Sequence, residues 1–375
     1  MPPPAIADAI DPARIRRALV IKLRHHGDVL LASPVFSVLK RAAPQAEVDA
    51  LVYGETAPML AGHPAISELH TIDRSLKHRG VAAQLRGELA LWRALAARRY
   101  DLVIHLTEHP RGAWMSRLLG ARWRVARDYA NAGWWWRSCF PRRYLLPRGT
   151  TRHTVEAHLD ALRRIGIWPE DADKPLVLVP GAAAEARVKA LLDANGLARG
   201  AFVLVHPGSR WLFKCWPAAS TATLLDRLAA QGRPIVLTGA PDDGERALIA
   251  AIRGAVAPAT GAKLTDLSGQ LTLSELGALI GAARLFVGVD SAPMHMAAAM
   301  GTPVVALFGP SGEDEWGPWL VPHRVVVSAV HSCRPCGNNG CGGSNNSDCL
   351  ITLPEARVAA AVAELLAETE ARAAR

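Results

Sequence analysis

Residues 285–308 read LFVGVDSAPMHMAAAMGTPVVALF, and the class of fold turns on this stretch. The apolar runs 285–289 and 304–308 read as strands, and 293–300 reads as a helix with Pro293 at its first position. Strand, helix and strand in succession make the building unit of a parallel sheet. Working outward, the alternation repeats in both halves of the chain. In the first half, strands are expected at 18–23, 48–53, 69–72 and 102–106, with helices at 34–43 (Ser33 as N-cap) and 81–98. In the second half, strands at 202–206 and 235–238 join the two already quoted, with helices at 217–231, 243–253 and 273–282. A stretch rich in Pro, Asp and Gly, 166–180, separates the halves, and a last helix is expected at 354–375. The expected fold class is α/β: two Rossmann-like, doubly wound domains facing a central cleft, with ligands at the carboxyl ends of the strands.

The 375 residues suffice for two cores, and half of them are hydrophobic, which excludes wholesale disorder. No run approaches the ~18 apolar residues of a membrane span. The opening MPPPAIADAIDPARIRRALV lacks the pattern of a signal peptide, so a cytoplasmic chain is expected. Lys and Arg number 43 against 34 Asp and Glu, a net charge of +9 that favours an anionic partner. Charge alone also suits nucleic acid, but no recognition helix or RNP-type motif accompanies it.

Five segments could carry chemistry. The first, KLRHHGDVLL at 22–31, runs from a strand into a helix; Gly27 allows a tight turn, and Asp28 reads either as a helix cap or as a general base. The second, HPGSR at 206–210, offers Gly208 amides and the Ser209 hydroxyl to a phosphate, with Lys214 adding a mobile charge. It is not a Walker loop. In the third, 288–296, Asp290 and Ser291 precede a helix whose amino end can face a diphosphate, and His295 lies within that helix.

The fourth holds Cys333, Cys336, Cys341 and Cys349, a candidate structural zinc or iron–sulfur site or a reduced loop without metal. The fifth places Trp134, Trp135 and Trp136 beside Arg137, suited either to a membrane interface or to interdomain packing. Two further patterns are read as coincidence: His153-x2-Glu156-x-His158 on an amphipathic helix, and the carboxylates Glu47 and Glu55.

Taken in order, RHHGDVLLASP (24–34), HPGSRWLFKCWP (206–217), GVDSAPMHMAAAMGTPVVALFGP (288–310) and the cysteine loop resemble the bacterial ADP-heptose:lipopolysaccharide heptosyltransferases, glycosyltransferase family 9. The resemblance runs from about residue 18 to 363 and is strongest to heptosyltransferase III, which adds the branch heptose of the inner core. It implies a GT-B fold with an N-terminal acceptor-binding domain at 1–172, a C-terminal ADP-heptose-binding domain at 173–352, and a last helix, 353–375, packing back on the first domain.

It further implies inverting, metal-independent transfer with Asp28 as base, Lys214 on the donor phosphates and Asp290 on the donor heptose. Ser209 stands near a Thr or Ser that also meets the phosphates. Related enzymes carry Ser or Met before the Gly-Asp pair where this chain has His25 and His26. Those two, with Arg24, Trp134, Trp135 and Arg137, are candidates for acceptor or membrane contact. The implied partners are ADP-heptose, a lipopolysaccharide core acceptor and the anionic cytoplasmic face of the inner membrane, with peripheral localisation. The alternatives are heptosyltransferase I or II, a protein heptosyltransferase, or a sugar-nucleotide-binding module without catalysis.

Overall fold

The structure, a computed structural model, describes residues 6–129, 131–146 and 151–373. It divides into two units, Met1–Val179 and Pro180–Arg375. The first holds a parallel sheet of β1 (Arg17–Ile21), β2 (Glu47–Tyr53), β3 (Glu68–Ile72), β4 (Leu102–His105), β5 (Trp123–Arg127) and β6 (Arg142–Tyr144), in the order β3-β2-β1-β4-β5-β6. The second holds β7 (Val203–His206), β8 (Ile235–Leu237), β9 (Thr265–Asp266), β10 (Leu285–Val289), β11 (Val304–Phe308) and β12 (His323–Val327), in the order β12-β11-β10-β7-β8-β9. Numbered within its own unit, each sheet runs 3-2-1-4-5-6, the Rossmann order, with its switch point between the first and fourth strands.

The central strands are buried on both faces, which is why they read as unbroken apolar runs in the sequence. The outer strands β5, β6, β9 and β12 were not expected, and for a physical reason. WRVAR and RRY carry arginines whose guanidinium groups turn back to loop carbonyls, as Arg124 does to Cys139 and Ala121. β9 has two residues, and β12 is half exposed. Without a continuous apolar run, such strands carry little pattern.

The helix Glu355–Ala373 corrects an expectation. It packs on β11, β12 and the helix Ala218–Ala230, all in the second unit. Val358, Val362, Leu365 and Leu366, spaced as one helix face, belong to that unit's core. Arg227 meets Glu355 at 2.9 Å and Arg233 meets Glu370 at 2.5 Å. The apolar stripe therefore completes the second sheet's cover. The boundary also lies later than expected, at Val179–Pro180. Residues 374–375 of the expected last helix lie outside the described residues.

Candidate active site

In the second unit, the chain leaving β7 passes through Gly208 and Ser209 to a short turn, Leu212–Lys214. Lys214 Nζ donates to Asp290 Oδ2 at 2.6 Å, with the Asp290 side chain nearly fully buried. Asp290 follows β10, so the two charges come from the two strands that flank the switch point. Ser291 is the N-cap of the helix Ala292–Ala299, with Pro293 in its first turn; its hydroxyl donates to the Val289 carbonyl at 3.3 Å. His295 is buried in that helix. Ser209 is also buried, and its hydroxyl accepts from the Trp211 amide at 3.3 Å.

Gly208 cannot be replaced cheaply, because a Cβ there would lie 2.2 Å from Glu245 Oε2. Glu245 accepts from the Ala240 amide at 2.7 Å and lies 3.5 Å from His206 Nε2, while His206 Nδ1 meets the Thr238 hydroxyl at 3.0 Å. Burial pushes the Glu245 carboxyl up, but His206 and the Ala240 amide outweigh it and hold it below the ordinary glutamate value. The sequence offered no sign of Glu245, since its partners, His206 and the Ala240 amide, come from the ends of two separate strands, β7 and β8. Beside Lys214, burial pushes the Cys215 thiol up to about 12, so it stays protonated.

In the first unit, β1 runs into the helical turn His26–Leu30, whose N-cap is His25; Asp28 sits in its first turn. Asp28 is therefore not the cap, and Gly27 lies inside the turn instead of at a left-handed corner. The carboxylate stays partly accessible, 3.8 Å from the ammonium of the buried Lys22. Lys22 Nζ donates to the Leu106 carbonyl at 3.1 Å and meets His158 Nε2 at 2.9 Å. His26 Nε2 donates to the Glu55 carbonyl at 2.8 Å, while Arg24 is exposed.

The two patterns set aside as coincidence separate in the structure. His153 caps its helix through the Val155 amide at 3.2 Å, and Glu156 pairs with Arg163 and Lys174. His158, however, lies on the buried face with Val155, Leu159 and Leu162 and reaches Lys22, a contact between segments 136 residues apart. Glu47 and Glu55 are held by Arg17 and Arg74.

The tryptophan segment divides. Trp136 is buried with Phe140 and Cys139, its indole N–H donating to the Arg127 carbonyl at 3.1 Å, all within the first unit. Trp134 is 81% exposed, and Trp135 packs in a tilted ring pair at 4.8 Å against Trp114, itself exposed on the helix Pro110–Leu118 with Leu118. Arg137 faces Asp128 at 3.6 Å.

The cysteine loop supports the second unit's rim. Arg334 donates to the Gly309 carbonyl at 2.6 Å, just past β11, and Ser347 donates to the Phe213 carbonyl at 2.7 Å, in the Lys214 turn. Cys341 Sγ accepts from the Asp348 amide at 3.4 Å, Cys349 is buried, and Cys333 and Cys336 are exposed. Among the described residues, no three of these sulfurs lie within 4.8 Å of one another; the one group so gathered is Asp49, Glu68 and His70. Asp49 there already accepts from Arg98 at 2.7 Å and Tyr100 at 2.8 Å, which supply the donors and charge an ion would bring. No helix among the described residues is long and apolar enough to cross a membrane.

Two Rossmann units, each with charged side chains gathered at its switch point, are the build of a GT-B glycosyltransferase. Residues 88–346 match the family model described as glycosyltransferase family 9 (heptosyltransferase). The chain is 36% identical over 346 residues to lipopolysaccharide heptosyltransferase 3 of Escherichia coli, covering 92% of this chain and 97% of that one. Among solved structures, the family 9 glycosyltransferase from Veillonella parvula superposes with a TM-score of 0.80 at 23% identity, covering 96% of this chain and 98% of that one. The ADP-heptose lipopolysaccharide heptosyltransferase II of E. coli gives 0.75 at 22% identity, covering 94% and 99%. The chain belongs to glycosyltransferase family 9, the heptosyltransferases.

Proposed function

We propose that this protein transfers heptose, with inversion and without a metal, from ADP-L-glycero-D-manno-heptose to a heptose of the lipopolysaccharide inner core, in the manner of heptosyltransferase 3. The observation that carries this reading is the 36% identity to an E. coli heptosyltransferase 3 over 97% of its length. Asp28 and the Lys214–Asp290 pair, each at a strand end beside a switch point, give it chemistry.

In this reading the first unit handles the acceptor and the second the donor. Asp28 takes the proton of an acceptor heptose hydroxyl as that oxygen attacks the donor's anomeric carbon on the face opposite the leaving group. The glycosidic bond to ADP breaks and the new one forms, so the configuration inverts. Lys214, the Gly208–Ser209 segment and the amino end of the helix Ala292–Ala299 supply positive potential for the charge growing on the diphosphate. Asp290 contacts the donor heptose. The exposed Trp134 and Trp114 with Leu118, Arg137 and the +9 net charge suit peripheral association with an anionic membrane on the cytoplasmic side. The cysteine loop has a structural role, with or without a zinc ion, outside the chemistry.

The test is ADP release from ADP-heptose, with and without an inner-core acceptor lacking the branch heptose, in the presence of a chelator. Acceptor-dependent release that persists is the expected result. Donor binding without release would point to another acceptor or a binding role, and no donor binding would overturn the reading.

A further inference from the structure

A buried ammonium is expensive unless something opposite in charge answers it. Lys22 is 5% exposed, and the acidic group nearest its Nζ is Asp28 at 3.8 Å. Its two hydrogen bonds go to neutral acceptors, the Leu106 carbonyl at 3.1 Å and His158 Nε2 at 2.9 Å. The other nitrogen of His158, Nδ1, is 3.1 Å from the Leu31 carbonyl. That bond needs a proton on Nδ1, which leaves the Nε2 lone pair to accept from Lys22. Leu31 is the C-cap of the turn His26–Leu30 that carries Asp28. A single imidazole thus touches both the end of that turn and the lysine facing the carboxylate.

We propose that His158 and Lys22 are positioning residues for Asp28: His158 anchors the turn bearing Asp28 and, through its other nitrogen, aims the Lys22 ammonium at the Asp28 carboxylate. The inference rests on the reading of Asp28 as the base. An oriented, ionised carboxylate is what proton abstraction requires. Burial and the nearby Lys22 charge hold His158 well below its ordinary value, in keeping with the neutral imidazole the geometry needs. Burial also brings Lys22 down to about 8, with Asp28 opposing that fall. The titratable and charged groups facing this pair are Asp28 and Arg24 beside β1, His105 and Glu108 at the end of β4, and His153 at the start of the helix Thr154–Arg163.

The experiment compares full-length Lys22→Met, Lys22→Arg, His158→Leu and His158→Gln with wild type and Asp28→Asn, reading kcat and the KM for ADP-heptose against pH. Lys22→Met and His158→Leu should lose about 10- to 100-fold in kcat, the range for partners that orient a reactive group, with KM for the donor little changed. Wild-type kcat should fall above about pH 8 as Lys22 loses its proton, and Lys22→Arg should remove that limb. His158→Gln, whose amide can donate to Leu31 and accept from Lys22, should recover most of the loss.

Unchanged kcat in Lys22→Met and His158→Leu, beside an inactive Asp28→Asn, would overturn the proposal. So would losses that merely follow thermal unfolding while the pH profile stays in place. An active Asp28→Asn would instead overturn the assignment of the base. The pairing is also read without turnover, by a ¹⁵N-lysine NMR titration: Lys22 should titrate at lower pH in Asp28→Asn, and no movement would overturn the proposal.

Discussion

Lys214 Nζ stands 2.6 Å from Asp290 Oδ2, so the charge carried by the turn after β7 is answered by a carboxylate after β10. The pair joins the two strands at the second unit's switch point and puts both donor candidates in one place. It also means that a diphosphate would share Lys214 with Asp290. Lys214→Met should therefore have two separable effects. Turnover should fall by about 10²–10³-fold, as for loss of a group stabilising developing charge. Stability should fall by about 2 kcal/mol, a figure kept modest because Lys214 is partly exposed. Adding Asp290→Asn should restore the melting temperature but not ADP release. A double mutant no more stable than Lys214→Met would show that the pair adds nothing to the fold.

Asp28→Ala should lower kcat by about 10²–10⁴-fold, the usual contribution of a general base. Because the substitution also takes away the acidic group nearest the buried Lys22 ammonium, the melting temperature should fall moderately while helical circular dichroism is retained. Turnover close to wild type would remove Asp28 from the mechanism.

Gly208→Ala should destabilise the donor side specifically. The new Cβ would fall 2.2 Å from Glu245 Oε2 and push that carboxylate off His206 and the Ala240 amide. Calorimetry should find weaker ADP-heptose binding, with helical circular dichroism retained. Unchanged donor affinity would count against a role for this segment in the phosphate site.

Acid should unfold the protein earlier than carboxylates alone would require. Burial draws both His63 and His105 down to about 4, against an ordinary 6.5. The unfolded chain therefore takes up protons that the folded one refuses. Their contribution to stability is complete above pH 6.5 and is lost as pH falls from there toward 4, at most about 3 kcal/mol each. The urea midpoint should drop between pH 7 and pH 5. In His105→Leu the drop should be smaller, even though the variant starts less stable, because His105 packs on Trp136 and Phe140. An equal drop in both proteins would contradict this account.

Trp134→Ser with Trp114→Ser should abolish flotation with anionic vesicles at low salt while leaving stability within about 0.5 kcal/mol, as expected at exposed positions. Arg137→Glu should weaken binding and its salt dependence. Vesicle binding unchanged in all three would assign the tryptophans another role.

The amino-acid sequence by itself determined the two doubly wound units, because strands buried on both faces must be apolar throughout and the helices between them amphipathic. It also determined which loops hold the candidate side chains, since Asp28, Lys214 and Asp290 follow apolar runs closely enough to be found by position. It carried little of β5, β6, β9 and β12, whose arginines and exposed residues leave no periodic trace.

Only the tertiary structure decided which charge meets which: Lys214 with Asp290, 76 residues apart, and Lys22 with His158, 136 apart. It likewise decided that the last helix covers the second sheet, that Trp136 is core while Trp134 is surface, and that the four cysteine sulfurs are not gathered. The reason is common to all of these. Periodicity reports which face of an element is buried, whereas a pairing between side chains on different elements depends on how the elements pack, which no local pattern encodes.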